Sequence, residues 1–154
     1  MVTTLTGCSV NRLYLSDDYA NKIDLEVRQS FGGLIEASKA LDSQGYFDFF
    51  DSDKFIGLNS DGTNWNSISD LEIIIKSGCS AVDKVQSLIF TNVQVSVIDK
   101  STAILVNEYE QEILLKTSEL VIVAGGGTQV WSKKSGNWKI VSISSSNKPA
   151  NLNK

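Results

Sequence analysis

Residues 102–116 read TAILVNEYEQEILLK, residues 119–133 read ELVIVAGGGTQVWSK and residues 137–145 read NWKIVSISS. These stretches, and residues 85–99 before them, are rich in Val, Ile and Thr, the residue types that favour β-strands. The breaks between them are too short for the crossovers that parallel strands require. We therefore predict that successive strands pair antiparallel as hairpins. Because aliphatic residues fall on both faces, we expect a strongly curved sheet with apolar groups inside and outside.

The chain before residue 85 is predicted to hold two substantial helices. Apolar residues recur at helical spacing over residues 23–41, and Gly32-Gly33 within this helix indicates that another element packs closely there. A capping-box pattern, Ser69 followed by Glu72, predicts the second helix over about residues 69–82. Two shorter elements are expected between them, a helical turn over residues 46–53 and a strand over residues 55–58.

Composition excludes several classes of function. The chain has 154 residues, of which 42% are hydrophobic, enough for one buried core. It contains no histidine, which excludes a histidine-based triad and a zinc–histidine site. The net charge is −4 and no basic stripe is present, so we expect no nucleic-acid partner. Its two cysteines do not have metal-ligand spacing, and we expect no metal and no cofactor.

The order of these elements resembles the NTF2-like superfamily, in particular its small SnoaL-like or DUF4440-type members. The resemblance covers about residues 24–146 and is most specific in residues 92–99, 102–106 and 128–140, where a glycine precedes the tryptophan of the closing hairpin. It implies an α+β fold: an NTF2-like (cystatin-like) cone whose mainly antiparallel sheet carries about three helices on its concave side. It also implies a pocket inside the curve and, in many members, a dimer.

Strand alternation assigns the side chains of the sheet to its two faces. Closing the last hairpin at Ser135-Gly136 places Trp131 opposite Ile140 and Val130 opposite Val141, provided that the register has no bulge. The concave face then mixes aromatic rings with uncharged polar groups, as ligand pockets do. The predicted pocket residues are Tyr46, Trp65, Asn107, Tyr109, Gln129, Trp131 and Ser142. For Trp65 and Tyr109 a structural role in the core is an open alternative.

The opposite face is predicted to be a dimer interface. Three short helices can cover one face of the sheet only, and an uncovered aliphatic patch exceeds what a soluble monomer usually exposes. The predicted interface residues are Ile104, Val106, Val130, Val141 and Ile143.

The first residues suggest a lipid anchor. Leu5-Thr6-Gly7-Cys8 resembles the lipobox of bacterial lipoproteins, with Cys8 as the lipidated residue. This interpretation requires a signal sequence upstream of Met1, and a chance match remains the alternative. We expect residues 1–20 to be an N-terminal tether, residues 21–147 the NTF2-like domain and residues 148–154 a flexible C-terminal tail. With a lipobox the protein belongs to the periplasmic side of the cell envelope, and without one to the cytoplasm.

The functional expectation is a non-enzymatic, dimeric domain that binds a small, mostly apolar ligand or another protein. The alternative is an isomerase, dehydratase or cyclase that uses a cavity carboxylate and a tyrosine. The predicted concave strands carry no Asp or Glu, although Asp42, Asp48 or Asp61 could approach from a helix or loop. We therefore assign no catalytic residue. Gly125-Gly126-Gly127 is interpreted as a bulge that bends the sheet rather than as a phosphate-binding loop.

Overall fold

The computed structural model describes residues 15–149. Cys8, most of the predicted tether and the tail beyond residue 149 lie outside the described residues. The elements, in chain order, are α1 (Asp17–Lys39), α2 (Ser43–Phe47), β1 (Ile56–Leu58), β2 (Asn64–Trp65), α3 (Ile68–Ala81), β3 (Val82–Asp99), β4 (Thr102–Leu115), β5 (Leu120–Ser132) and β6 (Lys139–Asn147).

The six strands form one curved sheet that does not close into a barrel, in the order β2-β1-β6-β5-β4-β3. Strands β3 to β6 pair antiparallel with their neighbours in sequence, as predicted. Strand β1 pairs antiparallel with β2 and parallel with β6, so the short N-terminal strands extend the C-terminal edge. The predicted α+β fold, with a mainly antiparallel curved sheet, is confirmed.

Helix α1 packs against the concave face through one apolar stripe. Ile23, Val27, Phe31 and Leu34 are buried at the helical spacing that the sequence predicted. The Phe31 ring meets the Phe90 ring of β3 edge-on, with 4.9 Å between centroids. The helix begins four residues before the predicted start of the domain at residue 21. None of the described helices is both long and apolar enough to cross a membrane.

The close contact that Gly32-Gly33 predicted occurs at the second glycine. A Cβ atom on Gly33 would lie 2.5 Å from Cζ of Phe49, whereas a Cβ atom on Gly32 would meet nothing within 4 Å. The missing side chain at Gly33 thus lets the segment after α2 approach the helix.

The start of α3 differs from the predicted capping box. Ser67 precedes the first helical residue and makes no side-chain cap bond. Instead, the Asp70 carboxylate accepts a hydrogen bond from the Asn66 backbone N–H at 2.8 Å, and Glu72 pairs with Lys76 one turn later. The acidic side chain that faces the helix start is therefore Asp70, which also suits the positive end of the helix dipole.

Strand β6 contains the bulge that the predicted register excluded. Trp131 pairs with Ile140 as predicted, but Val130 pairs with Ser142. Val141 is the extra residue. The bulge lies where Ile140 also exchanges backbone hydrogen bonds with Phe49 and Asp51 on the other side of the strand.

This bulge corrects the face assignment of every later residue of β6, because one extra residue reverses the alternation. Ser142, predicted to line the pocket, pairs with Val130 on the convex face. Ile143, predicted to lie in the dimer interface, pairs with Gln129 on the concave face. Val141 itself, a predicted interface residue, is the unpaired residue of the bulge.

A polar contact connects α1 to the hairpin that joins β5 and β6. The Glu26 carboxylate accepts hydrogen bonds from the Lys133 ammonium at 2.7 Å and from the Trp138 indole N–H at 2.8 Å. These donors lower the pKa of Glu26, the Lys133 hydrogen bond most and the Trp138 hydrogen bond next. Trp138 is only 5% exposed, so its indole N–H depends on this carboxylate for a partner.

Candidate functional site

A cavity of about 460 Å³ lies between the helices and the concave face of the sheet. The C-terminal half of α1, helix α3 and strands β3 to β6 all contribute to its wall. Its volume falls within the usual range of small-molecule sites.

The wall of this cavity is mainly apolar. Its aliphatic and aromatic residues include Leu34, Leu71, Ile75, Val85, Leu88, Phe90, Ile113, Val123 and Ile143. No Lys, Arg or Glu is found among the lining residues of the described chain, and the carboxylate at the rim is Asp42. Asp42 is exposed and accepts a hydrogen bond from the Gly45 backbone N–H at 3.0 Å, which caps α2. The cavity thus favours apolar contact over binding of a charge.

Two buried amides interrupt the apolar wall. Asn107 on β4 and Gln129 on β5 are each 4% exposed, and both line the cavity. Gln129 Oε1 accepts a hydrogen bond from the Trp131 indole N–H at 3.0 Å. Buried amides normally have several hydrogen-bond partners. These two side chains are thus the polar groups best placed to orient a molecule in the cavity.

Two tyrosines add hydroxyl groups to the wall. Burial raises the pKa of Tyr46 well above its usual value, with a smaller contribution from Cys79. Burial also raises the pKa of Tyr109, whose hydroxyl donates a hydrogen bond to Asn147 Oδ1 at 2.9 Å. Both hydroxyls therefore stay protonated at neutral pH, and that of Tyr109 is held by the end of β6.

Trp65 lines the cavity from the short strand β2 and is 8% exposed. Its indole nitrogen is buried and has no hydrogen-bond partner among the described residues. An indole N–H can only donate, so an unpaired one is costly and uncommon. Trp65 thus fits both alternatives that the sequence left open, a core residue and a contact for a ligand.

The triple glycine creates space rather than a bulge. Strand β5 pairs with β4 without a register shift along its whole length, so the predicted bulge at this position is wrong. Gly125 lies opposite Tyr109, and Gly127 lies opposite Asn107, both on the concave face. A Cβ atom on Gly125 would collide with the Ser146 carbonyl oxygen and would lie 2.7 Å from the Tyr109 hydroxyl. We call Gly125 and Gly127 the glycine pair, because together they leave room for the side chains of β4.

The structure brings five of the seven predicted pocket residues to this one cavity: Tyr46, Trp65, Asn107, Tyr109 and Gln129. Trp131 lies instead in the core, fully buried, where its indole N–H holds Gln129. Ser142 lies on the convex face because of the bulge. Prediction from the strands missed Ile143 for the same reason. It also missed the α3 wall, including Ile75 and Cys79, which the apolar periodicity of that helix could have indicated.

The convex face carries an aliphatic surface that the described elements leave uncovered. Ile104 and Val130 pair across β4 and β5, and Val106 lies next to them with 46% exposure. Strand β1 adds Ile56 and Leu58, which pair with Ser142 and Ser144 on this face. Ile56, Leu58, Ile104, Val106 and Val130 are called the convex patch below. In the convex patch, Ile56 and Leu58 of β1 thus take the place of Val141 and Ile143, the two β6 residues of the predicted interface.

The described residues contain no group of three or more His, Cys, Asp or Glu side chains arranged to hold a metal ion. Asp48 is exposed and lies outside the cavity, next to Lys139. Asp61 is exposed, and hydrogen bonds from the Thr63 side chain and backbone lower its pKa. Neither carboxylate reaches the cavity from its loop.

A six-stranded curved sheet with helices over its concave face and a cavity between them defines the NTF2-like class. The chain belongs to the SnoaL-like domain family within it, which matches residues 27–151. We found no match among curated proteins.

Solved structures show the same fold at low sequence identity. A protein of Novosphingobium aromaticivorans, provisionally named a scytalone dehydratase, superposes with a TM-score of 0.78 at 8% identity, covering 86% of this chain and 89% of that one. An NTF2-like superfamily protein of Salmonella enterica gives 0.74 at 14% identity, covering 88% and 99%. A protein of Xanthomonas campestris, provisionally named a calcium/calmodulin-dependent protein kinase II association domain, gives 0.65 at 16% identity, covering 97% and 99%.

Proposed function

We propose that this protein is a dimeric, non-enzymatic binding domain whose cavity takes a small, mostly apolar molecule. The observation that carries the proposal is the apolar cavity of about 460 Å³ with the buried amides of Asn107 and Gln129 in its wall. An apolar wall with a few fixed polar groups is the usual composition of a site that binds a small molecule.

The charges of the cavity support binding over acid–base catalysis. An isomerase or dehydratase of the kind considered above needs a carboxylate whose apolar surroundings tune its pKa. The carboxylate available here, Asp42, is exposed at the rim and already caps α2. The dehydratase name of one structural neighbour belongs to that protein, with which this chain shares 8% identity.

The convex patch supports self-association. Ile56 is 59% exposed and Val106 is 46% exposed, and they lie on one face with Ile104 and Val130. Exposed aliphatic residues that share one face of a sheet in this way mark interaction sites. Ser142, Ser144 and Thr128, which lie between the aliphatic residues, are small and uncharged, so they place no charge in an interface between two copies. One structural neighbour is named as an association domain.

A test of the cavity uses the neutral fluorescent probe N-phenyl-1-naphthylamine. We expect the wild-type protein to bind it with enhanced fluorescence, and Val123→Phe to bind it more weakly because the larger ring takes up part of the cavity. Ile122→Phe is the matched control, since Ile122 is the preceding residue of β5 and is 61% exposed on the other face. Equal binding by both variants, or no binding by the wild type, would contradict the proposal.

An envelope location through a lipid on Cys8 is a separate part of the proposal, and it is supported by the Leu5-Thr6-Gly7-Cys8 pattern. Expression of the complete natural gene in a Gram-negative host with an alkyne-labelled fatty acid tests it. We expect label on the wild type and none on Cys8→Ser, and an unlabelled wild type would contradict the anchor.

A further inference from the structure

We infer that the molecule bound in the cavity is uncharged and presents a hydrogen-bond acceptor oxygen, such as a carbonyl, to the amide nitrogen of Gln129. This inference rests on the proposed binding function and defines the class of ligand. It depends on three features of the cavity wall, which are the fixed orientation of one amide, a second group that can only donate, and the lack of Lys and Arg among the lining residues of the described chain.

The orientation of the Gln129 amide is fixed by a partner that can only donate. Trp131 is fully buried, and its indole N–H donates to Gln129 Oε1 at 3.0 Å. The opposite orientation would place the amide NH₂ group against another N–H, which is repulsive. The oxygen of this amide is thus occupied by the core, and the NH₂ group is left for another partner.

The Gln129 NH₂ group has no hydrogen-bond acceptor among the described residues. Gln129 is 4% exposed and its side chain lines the cavity, and its recorded side-chain hydrogen bond to the described residues uses Oε1 and not Nε2. Nε2 is not one of the fully buried unpaired atoms, so it is accessible from the cavity, where an apolar ligand without an acceptor would bury it unpaired at a cost of about one lost hydrogen bond. A ligand oxygen at this point of the wall would satisfy the donor, and a hydrocarbon would leave it unpaired.

Other groups in the wall also have unused donors. The Trp65 indole N–H is buried without a partner, and the Tyr46 hydroxyl stays protonated at neutral pH. Asn107, which is 4% exposed, adds a second amide without a partner in the described chain. Gln129 and Asn107 are diagonal neighbours on paired strands, because Gln129 pairs with Leu105 and Gly127 with Asn107. The Asn107 amide and the Tyr46 hydroxyl can both donate and accept, whereas the Trp65 indole N–H and the free NH₂ group of Gln129 can only donate. These two donor groups favour a ligand with an oxygen acceptor.

The charges of the cavity wall indicate whether the acceptor oxygen of the ligand is neutral or belongs to a carboxylate. No Lys or Arg is found among the lining residues of the described chain. An anion buried there would have no opposite charge, and an unpaired buried charge is far more costly than a neutral carbonyl. The acceptor is therefore neutral.

The experiment compares two probes that differ in one group, 2-acetylnaphthalene and 2-ethylnaphthalene. Dissociation constants are measured for the wild type and for Gln129→Met, which keeps the length of the side chain but has no amide. We expect the ratio of the two affinities to shift by about two- to tenfold towards the hydrocarbon in the variant, the effect of one neutral hydrogen bond.

A second measurement keeps the test decisive if Gln129→Met fails to fold after the loss of the Trp131 acceptor. In ¹⁵N-labelled wild-type protein, we expect the ketone to move the Gln129 side-chain NH₂ signals further downfield than the ethyl compound does. The Trp138 indole signal is the internal control, because its N–H is already bonded to Glu26 outside the cavity.

The possible outcomes separate this inference from the proposed function. If neither naphthalene binds, the cavity is not a binding site for apolar molecules and both proposals fail. Suppose instead that both naphthalenes bind, and that the ratio of their affinities is the same in wild type and Gln129→Met, or that both move the Gln129 NH₂ signals equally. The binding function then stands, and the assignment of an acceptor oxygen is wrong.

Discussion

Glu26 is the residue through which α1 holds the closing hairpin. Its carboxylate is the shared acceptor of a lysine ammonium and a buried indole N–H. Replacing Glu26 by Ala leaves the Trp138 N–H unpaired inside the protein, so we expect the free energy of unfolding to fall by about 1–2 kcal/mol. Urea denaturation followed by tryptophan fluorescence measures the change.

The matched control is Glu36→Ala on the same helix. Glu36 pairs with Lys39 on the surface, at 3.4 Å and with its side chain 75% exposed. We expect this variant to change stability by less than about 0.5 kcal/mol. Equal effects of the two substitutions would show that the Glu26 contact adds no more than an exposed ion pair.

The lowered pKa of Glu26 makes this contribution depend on pH. A carboxyl group whose pKa is lower in the folded state stabilises the protein above its unfolded pKa, and this stabilisation is lost as pH falls through the folded pKa. We therefore expect wild type to be more stable than Glu26→Gln at pH 7, with the difference shrinking as the pH falls through the lowered pKa of Glu26. Urea unfolding of both proteins at pH 7, 5 and 3 measures this, and a constant difference would be evidence against the charged contact.

The sheet face of each site residue could be predicted from the sequence only for positions before the bulge in β6. Asn107, Tyr109 and Gln129 face the cavity because alternation along regular strands carries an assignment from one residue to the next. Ser142 and Ile143 were assigned to the wrong faces, because the extra residue Val141 reverses the order. Nothing in this sequence marks Val141 as the extra residue.

At the scale of elements, β5 shows how glycines in a strand leave room for the side chains of a neighbouring strand. Its glycine pair lies on the concave face and Gly127 lines the cavity, while the residues on either side, Val123 and Gln129, carry side chains into it. Only the second glycine has room for a methyl group: a Cβ atom on Gly127 would make ordinary contacts at 3.6–3.7 Å. The two positions therefore differ in what they tolerate, although both are glycine.

We expect Gly125→Ala to lower the free energy of unfolding by about 2 kcal/mol or more, because the new methyl group collides with the β6 backbone and the Tyr109 hydroxyl. Gly127→Ala should be neutral or stabilising by up to about 1 kcal/mol, since alanine restricts the unfolded chain without a clash. Thermal and urea unfolding of the pair provide the measurement. A harmless Gly125→Ala would contradict the close approach of β5, β6 and Tyr109.

Element positions were predicted more reliably than their contacts. The periodicity of α1 and the four long strands follows from local sequence. The strands occur within three residues of their predicted bounds, whereas α1 begins six residues before the first residue of its predicted periodicity. The start of α3 was assigned to the wrong acidic residue, because both Asp70 and Glu72 lie in the first turns and only the folded chain selects between them. The parallel pairing of β1 with β6 depends on contacts across most of the chain, and local patterns do not encode it.

At the scale of the whole molecule, the convex patch predicts the oligomeric state. We expect the wild type to sediment as a dimer, and Val106→Glu to weaken the dimer by about a hundredfold or more, because each copy would bury an unpaired charge. Ile73→Glu is the control, since Ile73 is 71% exposed on α3, away from the sheet. Analytical ultracentrifugation over a range of concentrations measures both. A wild type that stays monomeric, or a Val106→Glu protein that stays dimeric, would exclude the convex patch as the interface.

The order in which the chain is synthesised has a consequence for how this fold is reached. The apolar stripe of α1 belongs to the same core as Leu105, Trp131 and Ile140, which are contributed by β4, β5 and β6. A ribosome completes α1 before those strands emerge, so the nascent helix has an unburied apolar face until they are synthesised. Strand β1 likewise cannot pair until β6, the last strand among the described residues, has been synthesised. Chaperones that recognise apolar segments during translation therefore have a long interval in which to bind the nascent α1.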